Sequence, residues 1–127
     1  IDPKVVPLLN TPTITAIGND IGYEDIFSYQ VEKYGTEGDV LMCVSSSGNS
    51  ENIIKAIQSA KIKKMISLSF VGFDGGKAKS LSDHAIHVES NNYGICEDAH
   101  HALMHIFAQF LRLKNINDTN ILGNIKF

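Results

Sequence analysis

The chain has 127 residues, 43% hydrophobic and 20% charged, with a net charge of −3. That length suits one domain with a real core, and the composition suits an ordinary globular protein. The charge excludes the basic footprint of a nucleic-acid binder, and no apolar run nears the roughly 18 residues a membrane span needs.

The start, Ile1-Asp2-Pro3-Lys4, lacks a charged region followed by an apolar block, so no secretory leader is expected. It begins in mid-phrase, and Ile1 reads as an internal residue of a longer protein. Cys43 falls in an apolar run and reads as a small core residue; Cys96 has no nucleophile signature. Two such cysteines suit a reducing, cytoplasmic setting.

Residues 5–15 lie among prolines and lead into Ile14, Ala16 and Ile17, which predicts a loop feeding a short strand at 13–17. Residues 20–34 carry Ile21, Ile26, Phe27 and Val31 at helical spacing, closed by Gly35 and Gly38. Residues 40–44 are a continuous apolar run of strand length, as expected in a sheet covered on both faces. Ser50 reads as an N-cap for a helix with Ile53, Ile54, Ile57 and Ala60 on one face. A strand follows at 65–71, then a glycine-rich turn at 72–76, a short helix at 78–81 and a short strand at 84–88. A long helix is expected over 96–114, and residues 115–127 form an Asn-rich tail. This alternation predicts βαβ units and a parallel sheet, with ligands outside the C-terminal strand ends.

The most informative stretch is Ser45-Ser46-Ser47-Gly48-Asn49-Ser50, between a strand and a helix start. A polar turn with a cap needs one of those hydroxyls; four exceed the need. Unpaired N–H groups and the positive end of the helix dipole favour an anion there, and serines add neutral donors. The stretch therefore reads as a phosphate cradle.

Other groups admit two readings. In Gly18-Asn19-Asp20, Asp20 caps the next helix, or Asn19 and Asp20 bond sugar hydroxyls. Residues 72–77 match neither a Walker nor a dinucleotide spacing and read as a strand-to-helix turn. Glu97, Asp98, His100, His101 and His105 crowd the front of one helix. At 100° per residue, Glu97, His101 and His105 fall within about an 80° arc, with Glu97 and His105 about 12 Å apart along the axis. His101 and His105, one turn apart, could share a divalent metal; the plain alternative is solvated or core histidines. His84 and His87 read as structural.

The strings Gly18-Asn19-Asp20-x-Gly22-Tyr23-x-x-Ile26-Phe27, Glu37-Gly38-Asp39-Val40-Leu41 and Ser45-Ser46-Ser47-Gly48-Asn49-Ser50-x-Asn52 resemble the sugar isomerase (SIS) domain. With the Gly75-Gly76-Lys77 turn and the histidine helix, the chain is most similar to phosphoheptose isomerases. The resemblance implies an α/β fold: a three-layer αβα sandwich with a mainly parallel, flavodoxin-like sheet over residues 1–114, then the tail at 115–127. It implies an aldose–ketose isomerase interconverting sedoheptulose 7-phosphate and D-glycero-D-manno-heptose 7-phosphate, in heptose biosynthesis for surface polysaccharide. It places substrate contacts on Asn19 and Asp20, the phosphate loop on Ser45, Ser46, Ser47 and Ser50, and substrate and metal contact on Glu97. His105 takes acid/base and metal roles, with zinc as the metal. A cytoplasmic homotetramer is expected, with a phosphorylated sugar as partner and neither nucleic acid nor membrane.

Two departures stand out. Glu97, which the resemblance places with His105 among the catalytic residues, replaces the family's Gln, adding a charge while keeping an oxygen ligand, a change that tightens zinc binding or turns the residue into a base. No segment matches the family's N-terminal strand, its Gly-Asn-Gly-Gly-Ser-type loop, or its helix bearing a His and a catalytic Glu. The alternative is a non-catalytic SIS module that binds sugar phosphates or a protein partner.

Overall fold

A computed structural model describes residues 4–114. The expected tail at 115–127 lies outside the described residues. In chain order the elements are α1 (Thr11–Asp20), a 3-10 turn (Tyr23–Asp25), α2 (Ser28–Tyr34), β1 (Val40–Ser45), α3 (Glu51–Ile62), β2 (Ile66–Val71), α4 (Gly76–Leu81), β3 (His84–His87) and α5 (Tyr93–Lys114).

The three strands form one parallel sheet in the order β1-β2-β3, with Val40 opposite Ile66 and Leu68 opposite His84. Strand alternation sends Leu41 and Cys43 to one face, where they join Ile54, Ala56, Ile57 and Ala60 of α3, Ala78 of α4, and Val31 of α2. These side chains are the main core. Phe70 points to the other face and meets the His100 ring of α5 edge-on, centroids 6.2 Å apart. Helices on both faces of a parallel sheet give the expected αβα sandwich. The α5 face is only partly covered, since Val40, Val44, Ile66 and Ile86 stay exposed there.

Two expected elements differ. Residues 13–17 lie inside α1 and are not a strand. Asn10 caps that helix through Oδ1, which accepts from Thr13 N at 3.2 Å. Pro12 sits in the first turn, where its missing N–H costs nothing. Ile14, Ile17 and Ile21 then recur at helical spacing. The single helix expected over 20–34 is split: Gly22 is extended at φ 162°, and the chain passes through the 3-10 turn before α2 begins. The remaining strands and helices lie close to where the sequence places them.

Candidate functional site

Ser45 ends β1 and Glu51 begins α3, so residues 46–50 bridge a C-terminal strand end and a helix N-terminus. Gly48, at φ +63°, makes the turn, and its N–H donates to Ser45 O at 3.0 Å. Ser50 stands at the cap position with extended backbone, yet its hydroxyl makes no capping bond. Among the described residues none accepts from the backbone N–H of Ser47, Ser50, Glu51 or Asn52. The Ser46 and Ser50 hydroxyls are likewise unengaged, whereas Ser47 Oγ accepts from Asn49 N at 3.3 Å. The loop thus concentrates open donors at the positive end of α3, the arrangement that binds phosphate. A cleft of about 330 Å³ lined by Ser47, Asn49, Phe73, Asp74, Asn91 and Tyr93 opens beside it.

The first turn of α5 lies next to this loop. Cys96 is buried against Gly72, and Gly72 N donates to Ser46 O at 2.8 Å. Glu97, the next residue, is exposed at that end of the helix. His105 is also exposed and sits about 12 Å further along the axis, so the helix does not bring the two together. His101 lies between them, its ring centroid 5.6 Å from that of His105.

Asn19 and Asp20 are not at a strand end, because the strand expected before them is α1. They occupy the last turn of α1, exposed, with Asn19 Nδ2 donating to Asp20 Oδ1 at 2.7 Å. Asp20 is not a cap for the next helix; it lines a groove with Pro12, Thr13, Ala16, Ile17, Ile21 and Tyr29. The 3-10 turn that follows α1 is tied to α3. Both oxygens of Asp25 accept from Lys55 Nζ of α3 at 2.9 Å, and that carboxylate holds the Lys55 ammonium above its ordinary value.

His100 is one residue the sequence named only as part of a cluster. It is 1% exposed, and neither ring nitrogen has a hydrogen-bond partner among the described residues. Its i, i+4 relation to Cys96 on the buried side of α5 is the signal that distinguishes it from His101 and His105. His87 is structural, as expected: Nε2 donates to Phe73 O at 2.9 Å, which leaves Nδ1 to accept from Lys79 Nζ at 3.0 Å.

The carboxylate of Glu97 and the imidazole of His105 are donor types that suit zinc. However, no three His, Cys, Asp or Glu side chains among the described residues form a group that could hold a metal ion. Two donors about two turns apart do not complete such a site.

The family profile of the SIS domain matches residues 1–72. The phosphoheptose isomerase of Helicobacter pylori (strain HPAG1) is 48% identical over 100 residues, 77% of this chain and 52% of that protein. The phosphoheptose isomerase of Clostridium acetobutylicum is 42% identical over 104 residues, 82% of this chain and 53% of that protein. The chain therefore spans about half the length of the curated relatives it matches. Among solved structures, a phosphoheptose isomerase from Francisella tularensis superposes with a TM-score of 0.81 at 31% identity, covering 84% of this chain and 58% of that one. One from Neisseria gonorrhoeae gives a TM-score of 0.81 at 35% identity, covering 84% and 61%.

Proposed function

Because the chain belongs to the SIS domain family, we propose that it carries the phosphate-holding part of a phosphoheptose isomerase. The reaction is the interconversion of sedoheptulose 7-phosphate and D-glycero-D-manno-heptose 7-phosphate, in heptose biosynthesis for surface polysaccharide. The observation that supports this best is the serine loop, with its open N–H groups and free hydroxyls at the start of α3.

The isomerisation moves a proton between C1 and C2 through an enediol. A base removes the proton from one carbon and an acid protonates the carbonyl oxygen; a proton then goes to the former carbonyl carbon while the other enediol hydroxyl loses its own, giving the new carbonyl. Ser45, Ser46, Ser47 and Ser50 hold the distal phosphate. That anchoring fixes where the reacting carbons lie, which converts a random encounter into an oriented one. Asn19 and Asp20 take sugar hydroxyls. Glu97, the nearer of the two to the start of α5, contacts the substrate, and His105 carries the acid/base role. Since these two lie about 12 Å apart along the helix, they do not act on one carbon together. The complementary base belongs to the part of the relatives' length that this chain does not match. Glu97 and His105 are donor types that zinc accepts, but a zinc site here would need further ligands from outside the described residues.

A cytoplasmic homotetramer completes the reading. Ile95, Ile106, Phe107, Phe110 and Leu113 leave an exposed apolar stripe on α5 that suits subunit contact. The assay is turnover of sedoheptulose 7-phosphate by the chain joined to the segment that its relatives carry and it does not match, with and without His105→Ala. A loss of kcat of at least about a hundredfold is expected for a general acid/base. Unchanged turnover removes His105 from the mechanism; no turnover by that longer wild-type protein, with phosphate binding retained, favours a non-catalytic SIS module.

A further inference from the structure

Three consecutive carbonyls of the serine loop are turned out of the cradle. Ser46 O accepts from Gly72 N at 2.8 Å, Ser47 O from Asn49 Nδ2 at 3.1 Å, and Gly48 O from Ala78 N at 2.9 Å. A carbonyl facing the cradle would repel a phosphate. A trans peptide is planar, so anchoring a carbonyl on one side fixes the N–H of the next residue on the other. The bond from Gly72 to Ser46 O thereby aims the free Ser47 N–H away from the glycine-rich turn.

Asn49 ties the two segments together with both ends of its amide. Nδ2 holds Ser47 O, and Oδ1 accepts from Lys77 N at 3.0 Å. The contact is too close for side chains. A Cβ on Gly76 would lie 2.5 Å from Ser47 O, and one on Gly48 would run into the Gly75 carbonyl. Gly76 adopts φ +53°, and its N–H donates to Asp74 Oδ1 at 3.0 Å. On its far side the turn is braced by the bond from His87 to Phe73 O.

We infer that Asn49 is a positioning residue, which with Gly76 holds the Ser46, Ser47 and Gly48 carbonyls away from the phosphate. This rests on the phosphate reading of the loop. The turn at 72–77 thus takes part in binding without touching the ligand. The Ser47–Gly48 peptide is held at both ends, its N–H by Ser45 O at 3.0 Å and its oxygen by the Asn49 amide, so without Asn49 the oxygen end is released.

The test measures the dissociation constant of inorganic phosphate by calorimetry on the full chain, with melting temperature alongside. The variants are Asn49→Ala, Gly76→Ala and Ser50→Ala. Asn49 is exposed, so its truncation leaves the core intact. Expected is about tenfold weaker binding for Asn49→Ala at a nearly unchanged melting temperature, the equivalent of one hydrogen bond. Gly76→Ala, from the other side of the contact, is expected to weaken binding at least as much. In kinetics, Asn49→Ala should raise KM for the phosphorylated sugar more than it lowers kcat. Wild-type binding by Asn49→Ala, with Ser50→Ala impaired, overturns the positioning role and leaves the phosphate reading standing. A collapse of melting temperature in Asn49→Ala makes the residue a structural clamp and also overturns it. Equal binding by wild type and Ser50→Ala removes the phosphate reading and this inference with it.

Discussion

Gly72 and Cys96 meet so closely that a Cβ on Gly72 would overlap the Cys96 sulfur. The same glycine donates its N–H to Ser46 O at 2.8 Å. One residue therefore joins the serine loop, the end of β2 and the first turn of α5. Gly72→Ala should destabilise the fold by about 1–3 kcal/mol, the usual cost of overpacking a filled site. It should also displace Glu97 relative to the loop. Chemical denaturation and KM for the phosphorylated substrate read the two effects. A variant with wild-type values for both contradicts the packing described.

Burial pushes the Cys43 thiol up to about 12. At pH 8 almost none of it is thiolate, and the thiolate is the reactive form. Cys96 is also buried, with its Sγ within 3.2 Å of Ser90 O. A thiol reagent at pH 8 should therefore label neither cysteine in the folded chain and both after denaturation. Rapid labelling of Cys43 in the native state contradicts its place in the core.

The Asp83 carboxylate accepts from Ser67 N and from Ser67 Oγ, both at 2.8 Å, and these bonds hold it below its ordinary value. A carboxyl depressed in the folded state binds fewer protons there than in the unfolded chain. Its contribution is complete above the unfolded carboxylate range, near about pH 4, and is lost as pH falls through the lower folded value. Asp39, held down by Thr36, acts in the same direction. Denaturation at pH 7 and pH 3 should show stability falling on acidification. Asp83→Asn should be less stable at pH 7 and lose less between the two. An identical pH slope in the variant would rule out this role.

What the sequence conveyed follows from the range of the interactions. β1 and α3 were legible because a continuous apolar run and a helical repeat are local patterns. The serine loop was legible for the same reason, since its donors, glycine and cap position lie within six residues. α1 was misread because Ile14, Ala16 and Ile17 fit a short strand as well as a helix. The arbitrating signals were Asn10 and Pro12, a cap and a first-turn proline. The role of the turn at 72–77 was not legible: its bond to the loop joins Asn49 to Lys77, 28 residues apart, and the rest of the contact is backbone. The burial of His100 depends on how α5 is rotated against Phe70, which only packing decides. Asn19 and Asp20 lie at the end of a helix and not at the strand end the sequence suggested.

The central claim is that the serine loop holds the phosphate of a phosphorylated sugar. The most direct measurement compares the wild type with a Ser47→Ala, Ser50→Ala double variant, on sedoheptulose 7-phosphate and on its dephosphorylated analogue. Bonds to a charged group are worth about 1.5–3 kcal/mol each, so KM for the phosphorylated sugar should rise at least tenfold, or about 1.4 kcal/mol. The analogue should be handled equally by both proteins. An equal loss for the two sugars would place the phosphate elsewhere and contradict the account.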